Sequence, residues 1–202
     1  MRVVIVAAGP TEDIPSLQPF MEEKPVVIAV DGGVTVLAQQ GLAFDLAIGD
    51  FDSLGYKPEG AIIHPAEKDE TDLELALRYV SQHYEATEVL VFGATGGRLD
   101  MTLQNVYLLK QFPLVRLMTK REEVRFLQQG QYDIEADRYH YLSFIPLVPT
   151  RLTLQGVKYP LTQHDVPVGG SLTVSNEWAN QEPAKVTVHT GEVIALRSLS
   201  DQ

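Results

Sequence analysis

Short, continuously apolar runs alternate with segments of helical period through the first half of the chain, and this alternation restricts the fold more than any other feature. Residues 3–8, 26–30, 46–48, 61–63, 89–92 and 114–118 form the apolar runs, rich in Val and Ile. A strand that is apolar on both faces must be covered on both, as in a parallel sheet flanked by helices. Between the runs, Thr71-Asp72-Leu73-Glu74 has the form of a capping box, with Thr71 as N-cap and Glu74 reaching back. Leu73, Ala76, Leu77, Val80 and Tyr84 follow at helical spacing and predict one buried face. A second helix is predicted from about Asp100, with Leu103, Val106 and Leu109 on its core side. Strands interleaved with helices predict a doubly wound, mostly parallel α/β domain.

From about residue 121 the texture changes. Residues 139–145, 151–157, 171–175, 185–189 and 193–196 are short alternating segments, punctuated by Pro146, Pro149, Gly156, Pro160, Pro167, Gly169-Gly170, Pro183 and Gly191. That pattern predicts antiparallel strands joined by turns. With 202 residues the chain can hold two small domains, here 1–125 (α/β) and 126–202 (antiparallel β).

The formal net charge of -11 argues against a nucleic-acid or anionic-membrane partner, since both depend on clustered Lys and Arg. An acidic chain still binds a nucleotide where carboxylates hold a divalent cation that inverts the local sign. The absence of cysteine excludes disulfides, thiolate catalysis and cysteine-based metal sites. The five histidines show no paired-ligand spacing. Residues 3–8 are too short for a signal segment and nothing approaches a membrane span, so a soluble, cytoplasmic protein is expected.

The informative residues are aspartates placed where strands end or helices begin. Asp31 follows the run 26–30 and precedes Gly32-Gly33, at the sheet edge where open α/β folds bind ligands. Asp50 and Asp52 end the next run; in an extended segment their i, i+2 spacing puts both carboxylates on one side and sends Phe51 into the core. Asp69 and Asp72 stand at the mouth of the capped helix. Each alone is also what a turn or cap uses. Together, hard oxygen ligands completed by phosphate oxygens and water describe a magnesium–nucleotide site. Gly93-Ala94-Thr95-Gly96-Gly97-Arg98 matches neither the Walker nor the dinucleotide fingerprint. It remains a glycine-rich turn with Arg98 available as a bidentate phosphate donor.

As an ordered series, Asp31-Gly32-Gly33, Gly49-Asp50-Phe51-Asp52-Ser53, Lys68-Asp69-x-Thr71-Asp72 and Gly96-Gly97-Arg98-x-Asp100 resemble the thiamine pyrophosphokinase family, and the resemblance continues into residues 156–161 and Ser175-Asn176-Glu177. It implies a catalytic α/β domain followed by a β-sandwich that binds thiamine, and a homodimer with active sites between subunits. It also implies ATP as co-substrate and Mg²⁺ as cofactor. Asp50, Asp52 and Asp72 would hold the metal, with Asp31 and Asp69 supporting the acidic site. Lys68 and Arg98 would contact the phosphates, with Gly32, Gly33 and Thr71 on the nucleotide side. Asp100, Ser175 and Asn176 would belong to the acceptor side, where Tyr159 or Trp178 offers a π face to a cationic ring. Asp72 and Asp100 are alternatives as proton acceptor. The family often has His where this chain has Met101. The rival readings are a pyrophosphokinase for another small alcohol, such as a hydroxymethylpterin, and a non-catalytic nucleotide- or thiamine-binding regulator.

Overall fold

The apolar runs of the first half become parallel strands in the computed structural model, which describes residues 1–52, 54–65, 67–180 and 182–200. They are β1 (Arg2–Val6), β2 (Val26–Val30), β3 (Leu46–Gly49), β4 (Ile62–Ile63), β5 (Glu88–Phe92) and β6 (Val115–Met118). Their order is β6-β5-β1-β2-β3-β4, and the five neighbouring pairs are all parallel. β1, β2 and β5 are buried along their length after the first residue, as strands covered on both faces must be.

Three helices connect them: α1 (Gly33–Gln39), α2 (Asp72–His83) and α3 (Leu99–Gln111). Thr71 is the N-cap of α2, its side chain accepting from the Glu74 amide at 3.2 Å. The reciprocal half of the capping box differs from expectation, because Glu74 Oε1 accepts from Arg78 one turn on, at 2.8 Å. Leu73, Ala76, Leu77 and Val80 form the buried face as expected. For α3 the expected face is corrected in part: Leu109 is buried as expected and Val106 is half-buried, but Leu103 is exposed and Asn105 and Leu108 are buried instead. Leu99, Leu103 and Tyr107 repeat at helical spacing on the solvent side, so two apolar stripes compete and the period alone does not fix the helix's phase.

This first unit is Met1–Lys120; the second is Arg121–Gln202. The second unit contains β7 (Glu122–Leu127), β8 (Gly130–Ile134), β9 (Tyr141–Pro146), β10 (Thr150–Gln155), β11 (Leu161–Val166), β12 (Asn176–Glu177), β13 (Ala184–Thr190) and β14 (Val193–Ser198). Their pairings are antiparallel, in the orders β12-β9-β14-β7 and β11-β10-β13-β8. Alternate residues of both sheets, among them Leu142, Phe144, Leu152, Leu154, Val186 and Val188, share one core, which makes the unit a β-sandwich.

Two readings of this half are corrected. Residues 171–175 are a turn, because Ser175 has φ +56° and Thr173 instead anchors the segment, its hydroxyl donating to the Phe144 carbonyl at 2.6 Å. β11 was absent from the expected strands because its Leu-Thr-Gln-His-Asp-Val sequence is mostly exposed and carries no apolar alternation. It is an edge strand held by its ladder with β10. No helix among the described residues is long and apolar enough to cross a membrane.

Candidate functional site

In the first unit the chain leaves β1 and β5 through Ala7-Ala8-Gly9 and Gly93-Ala94-Thr95, side by side at the C-terminal edge of the sheet. The two turns lie so close that a side chain at Gly9 or Gly93 would collide with the backbone of the other. Here the strand order reverses, β2 to β4 lying on one side of β1 and β5 and β6 on the other. Such a reversal opens a crevice that connecting loops cannot fill. A pocket of about 480 Å³ occupies it, lined by these turns and by Asp31, Thr71, Asp72, Arg98, Met101 and Asn105 among others.

Asp31 is the hub of the acidic end. Its backbone is left-handed, φ +46°, which Asp tolerates, and its Oδ1 accepts from the Phe51 amide at 3.2 Å. Gly49 faces it closely: any side chain there would strike the Asp31 carboxylate. Burial, followed by repulsion from the Asp72 and Asp50 carboxylates, pushes the Asp31 carboxyl up to about 6, although the Phe51 amide opposes the shift. Acids from three separate loops thus act on one another here, with Asp31 between Asp50 and Asp72 in place of the expected trio of Asp50, Asp52 and Asp72.

The Asp50–Asp52 segment is not extended, which corrects the expected arrangement. Phe51 has φ +60°, and the Asp52 amide turns back to donate to Asp50 Oδ1 at 3.1 Å. The Asp50 carboxylate acts on Asp31 from close by, Asp52 is exposed, and neither of the two lines the pocket. Phe51 is buried in the core as expected, contributing about 1.5–3 kcal/mol that anchors the turn. Ser53, the last residue of that motif, lies outside the described residues.

Asp72, the first residue of α2, presents a buried Oδ1 that has no aligned hydrogen-bond donor and meets Lys68 Nζ as an ion pair at 2.7 Å. Lys68 also donates to the Pro65 carbonyl at 3.0 Å. Asp69 is exposed and outside the pocket lining. Arg98 is on the pocket wall and pairs with Asp100 at 2.6 Å, an exposed contact that holds the Asp100 carboxyl below its ordinary range. Asp100 itself does not line the pocket, and neither do Gly32 and Gly33. Their place is a packing one: a side chain at Gly33 would collide with the Val6 carbonyl.

Among the described residues no three His, Asp or Glu side chains form a ready metal cage. The donor chemistry nonetheless fits Mg²⁺. Asp31 is repelled by both Asp72 and Asp50, all three being hard oxygen donors, and Lys68 neutralises only one of them, Asp72, at 2.7 Å. An open set of carboxylates completed by phosphate oxygens is how Mg²⁺ is usually held.

The expected acceptor residues lie in the second unit. Asn176 is buried, and both ends of its amide grip Tyr159: Oδ1 accepts from the Tyr159 amide at 3.0 Å and Nδ2 donates to its carbonyl at 2.9 Å. It is thus committed to holding the Lys158–Tyr159 turn. Trp178 packs against the sandwich core and donates Nε1 to the Ile134 carbonyl at 2.9 Å, a structural role. Tyr159 and Ser175 are exposed, the ring of Tyr159 lying 5.6 Å from Lys158 Nζ. Sequence reasoning missed Asn105, a buried polar residue on the pocket wall. The signal available was a polar residue at a core position of the helix.

Comparison with known proteins matches the family description "Thiamin pyrophosphokinase, catalytic domain" to residues 17–120 and "Thiamin pyrophosphokinase, vitamin B1 binding domain" to residues 131–193. A thiamine pyrophosphokinase of Bacillus subtilis is 38% identical over 188 residues, covering 86% of this chain and 87% of the relative. Solved structures of a thiamine pyrophosphokinase from Bacillus subtilis (TM-score 0.90, 32% identity, 100% of both chains) and one from Geobacillus thermodenitrificans (0.90, 33%, 100% of this chain and 99% of the other) have the same fold. One from Candida albicans, at 17% identity and TM-score 0.77, covers 98% of this chain and 89% of its own.

Proposed function

Because the chain belongs to the thiamine pyrophosphokinase family, we propose that the crevice beyond β1, β2 and β5 binds ATP with Mg²⁺ and that the second unit binds thiamine. The chain is an enzyme of the family's activity, moving a pyrophosphoryl group to thiamine. The carrying observation for the proposed site is the convergence of Asp31, Asp72, Thr71 and Arg98 on one pocket.

The thiamine hydroxyl oxygen attacks the β-phosphorus of ATP while its proton passes to a carboxylate, Asp72 or Asp100, the bond from that phosphorus to the α–β bridging oxygen breaks, and AMP leaves. Asp31, Asp50 and Asp72 hold the cation. When bound, Mg²⁺ neutralises charge on the phosphates and favours attack on them. Lys68 is kept beside the acids by Asp72, at 2.7 Å, and is positioned to exchange that partner for a phosphate oxygen. Arg98 turns its planar fork from Asp100 to the phosphates. Rate enhancement then comes from positioning and charge neutralisation.

The active species is proposed to be a homodimer in the cytoplasm. The exposed stripe of Leu99, Leu103 and Tyr107 on α3, 71%, 51% and 57% accessible, supports a partner surface on the first unit. The deciding experiment is product analysis of the pure protein with ATP, Mg²⁺ and a panel of vitamin alcohols. AMP and thiamine diphosphate are expected together, and only when thiamine, ATP and Mg²⁺ are all present; transfer to a hydroxymethylpterin instead would overturn the reading.

A further inference from the structure

Asn105 carries an acceptor that nothing among the described residues uses. It is 6% exposed and is the polar member of the buried set on α3. Its Nδ2 donates to the Ala94 carbonyl at 2.7 Å, which fixes the orientation of the amide. Oδ1 is then left buried without a hydrogen-bond partner, on a residue that lines the same pocket as Asp31, Asp72 and Arg98. Buried acceptors in native proteins are almost always paired, so this oxygen calls for an occupant that brings an N–H or O–H.

The place of Asn105 along α3 narrows the choice. It stands seven residues beyond Arg98, about 10 Å along the helix axis. With phosphates at Arg98, that reach passes the ribose and arrives at the far edge of a nucleobase. The apolar part of the pocket wall is small, with Ala7, Ala8, Val30, Leu73 and Ala94, and leaves room for a flat ring. Because Nδ2 is already engaged, the free end of the amide only accepts. It therefore favours an amino group and disfavours a carbonyl oxygen at the same place on the base.

We propose that Asn105 reads the exocyclic amine of the nucleobase and thereby selects adenine nucleotides. This rests on the ATP-site reading given above, and the test separates the two. Equilibrium binding of non-hydrolysable triphosphate analogues of adenosine, 2′-deoxyadenosine and purine riboside, which lacks the amine, is measured with Mg²⁺ on the wild-type protein, alongside kcat and KM for the hydrolysable triphosphates.

Loss of the amine is expected to weaken binding and raise KM by about tenfold or more, with kcat little changed, because a buried acceptor is left unpaired. Asn105→Leu should bring the adenosine and purine riboside compounds to nearly equal affinity; if that variant does not fold, the wild-type series decides alone. Equal binding of the two by the wild-type protein would mean that water satisfies Oδ1, and would overturn the inference. A larger loss for the 2′-deoxy compound would assign the oxygen to the ribose and overturn it as well. Amine-selective binding without any product from thiamine would uphold the inference while refuting the catalytic reading.

Discussion

Replacing Asp31 with Asn should stabilise the metal-free protein while impairing the enzyme. The carboxyl is pushed from 3.8 to about 6, first by burial and then by Asp72 and Asp50. At about 1.36 kcal/mol per pH unit the full shift corresponds to about 3 kcal/mol. Solvent reaches part of the side chain, and screening brings the expected figure to about 1–2 kcal/mol. The sign follows from proton counting. Between about 3.8 and 6 the folded state holds a proton that the unfolded state has released, so stability falls as pH rises through that window, and the whole penalty is present above it. Asn carries no charge, keeps an Oδ1 for the Phe51 amide and suits the left-handed backbone. Thermal denaturation of both proteins without metal, from pH 4 to pH 8, is the assay. The melting temperatures should nearly coincide at pH 4 and separate to about 3–6 °C in favour of the variant at pH 8. Mg²⁺ with a nucleotide should then stabilise the wild-type protein more than the variant. A variant no more stable than wild type at pH 8 would refute the claim that burial and the neighbouring Asp72 and Asp50 penalise the charge of Asp31 in the metal-free protein.

Arg98→Lys should not restore what Arg98→Ala loses, with kcat/KM for ATP down by about tenfold or more in both, because Lys cannot reproduce a planar, two-pronged contact; a Lys variant equal to wild type would make Arg98 a surface residue. Thr71→Ala should cost about 1 kcal/mol in chemical denaturation through loss of the α2 cap, and Thr71→Ser should recover most of it. Unchanged stability in the Ala variant would show that the cap is dispensable. Leu103→Glu should convert a dimer to monomers in light scattering without loss of circular dichroism signal, since its side chain is exposed on α3; a persistent dimer would place the interface on another face.

Much of the fold could be read from chain order. Strands buried on both faces leave a continuous apolar run, which is why β2 was located to its ends, and the cap and apolar face of α2 lie within a few residues of each other. β11 was not legible, because an edge strand exposed on most of its length takes its structure from a neighbour's hydrogen bonds and leaves no local pattern. On α3 the expected Leu109 is buried but Leu103 is exposed, because one helix carries an apolar stripe toward the core and another toward solvent. In the second unit Asn176 and Trp178 looked like ligand groups by chemistry, yet their polar atoms are engaged by Tyr159 and by the Ile134 carbonyl, partners 17 and 44 residues away.

The sequence by itself determined the α/β then β architecture, the family, and the placing of Asp31 and Asp72 at a strand end and a helix start, since each depends on local period, a local cap or an ordered motif. Only the tertiary structure decided which acids meet. Asp50 turns toward Asp31 while Asp52 stays in solvent, because Phe51 is drawn into the core on a left-handed backbone and the Asp52 amide folds back onto Asp50. It also decided that Asn105 faces a pocket with one oxygen unpaired, since the Ala94 carbonyl that claims its other end belongs to a turn after a different element. Local patterns are written in neighbouring residues, whereas the orientation of a polar group is set by partners that the fold alone brings within reach.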